Sequence, residues 1–166
     1  MTYITSFAPI EGNSARVLIL GSIPGIASIS AGQYYAHQRN SFWNIIGAIL
    51  GFSANTSYEE KVETLKRSSI ALWDVLEHCT RPGSMDADID MRSAKPNDII
   101  GLLRRQPGID TICFNGIAAE KIFNQYVLPT LADIPVKYIR LPSTSPAHAT
   151  MSFEKKLIAW RVAINA

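Results

Sequence analysis

The apolar positions of the chain fall into short continuous runs that are separated by amphipathic stretches. Three runs have the length and composition of strands buried on both faces, and a fourth, shorter run has the same character. They are Arg16–Leu20, Thr111–Phe114, Val136–Leu141 and the shorter Ser69–Leu72. Because strands that alternate with helices need crossover connections, this pattern predicts a mainly parallel sheet that is covered by helices on both faces.

The stretches between these runs have helical periodicity and recognisable ends. An apolar segment from Phe42 to Leu50 ends at Gly51, and Ser57 followed by Glu60 has the pattern of a capping box. Three more helices are predicted, and they span residues 97–105, 117–127 and 152–164. Since the chain has no linker and no internal repeat, residues 1–166 are predicted to form one domain, a three-layer α/β/α sandwich around a short, mainly parallel four-stranded sheet.

Composition excludes several classes of protein. With 166 residues, 47% of them apolar and 18% charged, the chain is too apolar to be disordered. No run reaches the ~18 apolar residues of a membrane span, and Met1–Ser6 lacks the pattern of a signal peptide. Cys79 and Cys113 are too far apart in sequence to suggest a disulfide framework or a zinc or iron–sulfur site. We therefore expect a cytoplasmic protein that needs no metal and no other cofactor.

The charge of the chain neither requires nor forbids binding to nucleic acid. The net charge is +2, whereas nucleic-acid modules are often far more basic. A local basic stripe is formed by Arg92, Lys95, Arg104 and Arg105. A solvated helix face explains these four residues equally well.

A turn of small or hydrogen-bonding residues follows each predicted strand. These turns are Gly21–Gly25, Trp73-Asp74, Asn115-Gly116 and Pro142–Pro146. Because the carboxyl ends of parallel strands meet at one edge of a sheet, where open α/β sheets bind their ligands, the four turns are predicted to surround one crevice.

Two of the segments near this edge carry candidate chemistry. Tyr35 can stack on a planar heterocycle, and Asn40 can orient a water molecule or cap the helix that follows it. The hydroxyls of Ser143 and Ser145 suit phosphate contacts, although they also occur in ordinary turns. Gly21–Gly25 matches neither G-x-G-x-x-G nor a Walker motif, so the two common nucleotide-binding fingerprints are absent.

Four segments together resemble a known family. Gly21–Gly25, Tyr35–Trp43, Phe114–Gly116 and Leu141–Ala147 occur in the order and at the strand ends of the uracil-DNA glycosylase superfamily. Between Val17 and His148 the chain is most similar to the hypoxanthine-DNA (deoxyinosine) glycosylase branch. The resemblance implies a monofunctional enzyme of base excision repair. Such an enzyme flips a deaminated base out of double-stranded DNA, hydrolyses its N-glycosidic bond and leaves an abasic site.

The resemblance also assigns roles to individual residues. Ile23 stands where mismatch-specific uracil-DNA glycosylases carry an asparagine, and an isoleucine cannot orient water. In the hypoxanthine branch this role falls to the asparagine before Phe-Trp, which makes Asn40 the candidate catalytic residue. The residues assigned to binding of the base are Gly21, Ser22, Ile23, Pro24, Tyr35 and Asn115. The residues assigned to DNA binding are Ser143, Thr144, Ser145, Pro146 and His148.

Other functions fit the same residues. The alternatives are a uracil or mismatch-type DNA glycosylase, a protein that acts on or binds free purine nucleosides, and a non-catalytic binder of damaged DNA. We expect a monomer that associates with the nucleoid when it acts on DNA, and no membrane partner. The sequence does not rank hypoxanthine, uracil and xanthine or give the opposite-base preference. It also leaves open the roles of His37 and of the acidic loop that contains Asp86, Asp88 and Asp90.

Overall fold

The computed structural model describes residues 2–131 and 133–165. Its strands are β1 (Thr2–Thr5), β2 (Val17–Gly21), β3 (Ile70–Asp74), β4 (Leu76–Arg81), β5 (Asp90–Pro96), β6 (Thr111–Asn115) and β7 (Lys137–Leu141). Its helices are α1 (Ile26–Ala31), α2 (Phe42–Leu50), α3 (Tyr58–Arg67), α4 (Ile99–Arg105), α5 (Ile117–Tyr126) and α6 (Phe153–Ile164), with single 3₁₀ turns at Asp86–Asp88 and Leu128–Thr130.

The central sheet is parallel and contains the four predicted strands in the order β3-β2-β6-β7. Neighbouring side chains of β2 enter opposite cores, since Val17 and Ile19 pack in one hydrophobic cluster and Leu18 and Leu20 in the other. The first cluster also contains residues of α2, α3 and α6, and the second contains residues of α4 and α5. The predicted three-layer α/β/α fold is therefore confirmed.

Helix starts follow the side-chain signals in the sequence. The hydroxyl of Ser57 accepts a hydrogen bond from the Glu60 N–H group at 3.2 Å, and the Asp98 carboxylate accepts one from Gly101 at 2.9 Å. Ser152 caps α6 in the same way. Gly51 ends α2 with φ of 91°, a left-handed conformation that glycine adopts without steric cost. No helix in the described part of the chain is long and apolar enough to cross a membrane.

A second, antiparallel sheet of three strands in the order β1-β4-β5 was not predicted. Its strands carry many polar side chains, and the pairing of β4 with β5 is interrupted by register shifts near His78. Such strands lack the continuous apolar runs that marked the central sheet. The short helix α1 was also missed, because Ile26 and Ile29 are exposed and give it no apolar face.

The register of the central sheet aligns the carboxyl ends of its strands. Gly21 pairs with Asp74, Leu20 with Phe114, and Asn115 with Leu141. Asp74, Gly21 and Asn115 therefore lie side by side at one edge, on β3, β2 and β6.

Candidate active site

A cavity of about 440 Å³ opens at the carboxyl edge of the parallel sheet. All four turns that follow the strands contribute to its wall. It is lined by every residue assigned to the site from the sequence except His148, namely Gly21, Ser22, Ile23, Pro24, Tyr35, Asn40, Asn115, Ser143, Thr144, Ser145 and Pro146. The structure thus brings Asn40 and Asn115 to the same cavity, although 75 positions separate them in the sequence.

The first turn contributes backbone and a close packing contact. A β-carbon at Gly21 would lie 2.6 Å from Asp74 Oδ1 and 2.7 Å from the Tyr35 hydroxyl, so only glycine allows both groups to approach the main chain. Ile23 is 7% exposed, and its side chain belongs to the hydrophobic core. Its side chain therefore adds an apolar backing to the cavity and no hydrogen-bonding group.

A buried arginine from the second sheet holds this turn in place. Arg81, at the end of β4, is fully buried and donates to the Pro24 carbonyl at 2.8 Å and to the Gly83 carbonyl. The following loop is also bound to the turn, because Ser22 Oγ donates to Asp86 Oδ1 at 2.6 Å. Sequence reasoning missed Arg81 because arginines are rarely buried. It left the role of the acidic loop open, and the structure places Asp86 of that loop in the wall of the cavity.

Tyr35 and Asn40 lie on the loop that precedes α2. The ring of Tyr35 stacks on Phe42, with centroids 4.1 Å apart and planes at 21°, so only its opposite face is free to stack on a base. Tyr35 has φ of 54°, which places a bulky residue in the left-handed region. Strained backbone of this kind is common at functional sites.

Asn40 makes the capping contact that the sequence allowed. Its Oδ1 accepts a hydrogen bond from the Phe42 N–H group at 3.0 Å at the start of α2. The side chain also lines the cavity, so capping and a role in the site are compatible. The bond to Phe42 uses one lone pair of Oδ1 and leaves the other lone pair and the two amide protons for other partners.

Asn115 and Thr144 are interlocked by two hydrogen bonds. Asn115 Nδ2 donates to Thr144 Oγ1 at 3.0 Å, and the Thr144 N–H group donates to Asn115 Oδ1 at 2.9 Å. The Thr144 carbonyl accepts two further bonds from Ser41. Thr144 is only 1% exposed, so its assignment to DNA binding stays a prediction, and little of its surface is available for a direct contact. It holds Asn115 and the Asn40 loop in their places.

The remaining DNA-contact candidates lie on the surface of the last turn. Ser143 Oγ accepts from Ser145 N at 3.1 Å, and Ser145 Oγ accepts from Ala147 N at 3.2 Å, so both hydroxyls keep their protons for a phosphate oxygen. His148 lies outside the main cavity, in an adjoining pocket of about 180 Å³. The Lys156 ammonium donates to the His148 carbonyl at 2.7 Å and fixes the end of the turn.

The floor of the cavity is acidic. Asp74 is 4% exposed, and its Oδ2 has no hydrogen-bond partner among the described residues. Burial, and then the negative charge of Asp86, raise the pKa of Asp74 to about 7. Burial also raises the pKa of Asp86. Burial and the charge of Asp74 raise the pKa of Tyr35 well above its ordinary value, so its hydroxyl stays protonated.

Positive charge is found at the rim of the cavity. Arg39 is exposed, lines both the main cavity and the adjoining pocket, and has no carboxylate partner within the described ranges. By contrast, three residues of the basic stripe suggested by the sequence form ion pairs, Arg92 with Asp90, Lys95 with Glu77 and Arg105 with Glu11. Residues 2–131 and 133–165 contain no group of three or more His, Cys, Asp or Glu side chains placed to hold a metal ion.

Comparison with known proteins supports the resemblance found in the sequence. Two relatives named hypoxanthine DNA glycosylase come from Methanosarcina. The relative from M. acetivorans is 36% identical, and the matched region covers 88% of this chain and 89% of the relative. The relative from M. barkeri is 37% identical, and the matched region covers 66% of this chain and 69% of the relative. A solution NMR structure from M. acetivorans, described as a candidate uracil DNA glycosylase, is 32% identical and superposes with a TM-score of 0.79 over 98% of this chain and 99% of its own. Residues 9–166 match the pattern of the uracil DNA glycosylase superfamily, and the chain therefore belongs to that superfamily.

Proposed function

We propose that this protein is a monofunctional DNA glycosylase that excises hypoxanthine from deoxyinosine-containing double-stranded DNA. The observation that carries the proposal is the convergence of Tyr35, Asn40 and Asn115 on one cavity at the sheet edge. Its volume of about 440 Å³ lies within the range of small-molecule sites. The similarity to relatives named hypoxanthine DNA glycosylase supports the choice of base.

The cavity requires that the target nucleotide leave the duplex. A base inside the stack cannot reach the sheet edge, so the enzyme must flip it out, at a cost of a few kcal/mol that is smallest for a poorly paired base such as hypoxanthine. Arg39 and the hydroxyls of Ser143 and Ser145 surround the mouth of the cavity and would hold the flanking phosphates. The base then stacks on the free face of Tyr35.

Asn115 would contact the Watson–Crick edge of the flipped base. Thr144 fixes one amide proton and one lone pair of Asn115. The second amide proton faces the Tyr35 hydroxyl and would donate to O6 when the base enters. Because both bonds to Thr144 are made before any substrate arrives, the amide is preorganised and its orientation costs little on binding.

Asn40 would position the attacking water. The Phe42 N–H group fixes Oδ1, whose second lone pair can accept a hydrogen bond from water. The water oxygen attacks C1′ as the bond between C1′ and N9 breaks, and the base leaves as an anion with the bonding electrons. The proton that the water loses passes late, through solvent, to the departing base, so that the products are neutral. An amide oxygen is too weak a base to remove a proton early, so Asn40 acts by placing the water and by stabilising the positive charge that develops on the sugar.

The central test is single-turnover release of hypoxanthine by Asn40→Ala. Excision from a deoxyinosine duplex, followed by alkaline cleavage of the abasic site, should slow by about 10²–10⁴-fold, which is the usual effect of one catalytic group. DNA binding should persist. The matched control is Asn124→Ala, which removes an exposed amide on α5 and should leave the rate unchanged.

Loss of the helix cap must be separated from loss of the chemistry, because capping alone contributes about 0.5–2 kcal/mol to stability. Asn40→Ser keeps an oxygen that can cap α2 but withdraws the amide from the cavity. This variant should be as stable as the wild type and still slow. A wild-type rate in Asn40→Ser would remove Asn40 from the mechanism.

The same assay tests the remaining expectations. Duplexes with uracil, xanthine or hypoxanthine rank the substrates, and free deoxyinosine should not be cleaved. No strand nicking is expected before alkaline treatment, since no lysine among the described residues lines the cavity to form a Schiff base. Light scattering should show a monomer.

A further inference from the structure

We infer that Asp74 is a specificity-determining residue whose carboxylate accepts a hydrogen bond from the ring N–H of the flipped base, which is N1–H in hypoxanthine. The inference rests on the proposed function and names the group that selects a deaminated base over adenine. Neither the sequence motifs nor the mechanism above uses Asp74, although it lines the same cavity.

Asp74 places an unused hydrogen-bond acceptor at the floor of the cavity. Asp74 is 4% exposed, and its Oδ2 has no partner among the residues that the structure describes. Its neighbours do not neutralise it. The Asn97 amide donates to the Asp74 carbonyl at 2.9 Å and not to the side chain. A buried carboxyl without a partner is costly, and such groups persist where a ligand uses them.

Asp74 lies close enough to Asn115 for both side chains to contact one base. Asp74 and Asn115 flank Gly21 on the two neighbouring strands, and Gly21 has no side chain to separate them. Asp74 Oδ1 approaches to 2.6 Å of the point where a Gly21 β-carbon would be. Asp74 and Asn115 can therefore contact adjacent groups on one edge of a base that sits above Gly21.

The edge of hypoxanthine is complementary to the side chains of Asp74 and Asn115. Hypoxanthine presents O6, an acceptor, beside N1–H, a donor. The amide proton of Asn115 that Thr144 does not bind suits O6, and the Asp74 carboxylate suits N1–H. Adenine presents a donor at N6 and a lone pair at N1, so it would place an amino group against the amide protons and a lone pair against the carboxylate. Both contacts would be repulsive.

The same edge occurs on uracil and xanthine, so Asp74 selects a class of bases that carry a ring N–H beside a carbonyl. Guanine shares this edge as well. It must be excluded by other means, and the cost of extracting it from a stable pair with cytosine provides one.

The experiment is the pH dependence of kcat/KM for hypoxanthine release. Only the ionised carboxyl accepts the N1–H bond well, and Asp74 has a raised pKa of about 7. Activity should therefore rise with pH up to about 7, by about tenfold per unit at the acidic end, and then level off. Asp74→Asn should lose this rise and, at pH 8, should be about 10- to 100-fold less active, as expected for one hydrogen bond to a charged group.

Several titratable or charged groups around Asp74 require controls. Tyr34, Tyr35, His37, Arg39 and Asp86 line the same cavity, and Arg81 binds the carbonyls of Pro24 and Gly83. Histidines often change charge near neutral pH, so the profile of His37→Gln should keep the rise. Asp86→Asn should keep it but move it to lower pH, because the charge of Asp86 raises the pKa of Asp74.

The outcomes are distinct. A rise with pH that survives in Asp74→Asn would overturn the inference and leave the proposed function intact. Activity that falls with pH through 7 in the wild type, and not in Asp74→Asn, would also overturn it, because Asp74 would then protonate the leaving base. No release of hypoxanthine by the wild type would overturn the proposed function and the inference with it.

A measurement with a modified substrate tests the inference on the wild-type protein, so it does not require any variant to fold. A duplex with 1-methyl-deoxyinosine carries O6 but has a methyl group in place of the N1 proton. The wild type should release this base at least 10-fold more slowly than hypoxanthine. Equal rates would contradict a bond between Asp74 and N1–H.

Discussion

The substitution Thr144→Val should weaken both the fold and the activity, because Thr144 holds the side chain of Asn115 in place. Thr144 is 1% exposed, and its hydroxyl accepts the Asn115 amide at 3.0 Å. Valine has nearly the same shape and keeps the backbone bonds of residue 144 to Asn115 and Ser41. The change therefore removes one hydrogen-bond acceptor from the contact between Thr144 and Asn115, which we call the junction, and alters little else.

The expected loss of stability follows from the hydrogen-bond donor that loses its partner. The Asn115 Nδ2 group loses its partner beside a new methyl group, and an unsatisfied buried donor costs about 1–3 kcal/mol. We expect the free energy of unfolding to fall by that amount. The amide of Asn115 also becomes free to rotate, and misplacement of a group that orients the substrate reduces kcat/KM by about 10–100-fold.

The assay combines urea denaturation with single-turnover hypoxanthine release. The matched control is Thr130→Val, because the Thr130 hydroxyl bonds to the Val127 carbonyl at 2.8 Å on an exposed 3₁₀ turn away from the cavity. That variant should change neither quantity. If Thr144→Val has wild-type stability, the junction is not tightly closed. If it is destabilised but fully active, the orientation of Asn115 does not matter for catalysis.

Two further predictions concern the rim and the floor of the cavity. Arg39→Ala should weaken binding to DNA of any sequence and reduce the slope of log K against log salt by about 1. The control Arg104→Ala, outside the cavity, should change neither. An unchanged slope for Arg39→Ala in a fluorescence titration would rule out a phosphate contact of Arg39. Gly21→Ala should lower stability by about 1–3 kcal/mol in urea and impair excision, because its β-carbon would press on Asp74 and Tyr35. Gly83→Ala, where nothing lies within 4 Å, is the matched control, and equal behaviour of the two variants would refute the packing argument.

The central sheet and the helix ends could be predicted because their signals are local. The strand Val17–Gly21 is buried at all five positions, so its sequence is continuously apolar. Caps at Ser57 and Asp98 depend on residues three positions apart. The second sheet gave no such signal, since β5 contains no fully buried residue and its partner β4 buries Arg81 beside Leu76 and Cys79.

The site was predictable in part. The resemblance identified the turns that form the cavity, and parallel topology explained why they meet. Asp74 belongs to the Trp73-Asp74 turn that follows a predicted strand, so its position at the edge was available from the sequence. Nothing in the sequence showed that its carboxyl would be buried without a partner. The role of Asp86 depends on the contact between its loop and Ser22, which spans 64 positions and has no sequence signature.

One buried residue relates the two amides on which the proposed mechanism depends. Thr144 binds the side chain of Asn115 through its hydroxyl and N–H group, and its carbonyl binds Ser41, the residue next to Asn40. Because Asn40 is also fixed by the first turn of α2, the water-positioning and base-reading amides are held by rigid elements through a single junction. A polar side chain at position 23 would make this arrangement unnecessary, since that side chain could then orient the water from the turn after β2. Because the Ile23 side chain lies in the hydrophobic core, Asn40 and Asn115 are instead positioned relative to each other by Thr144, on the turn that follows β7.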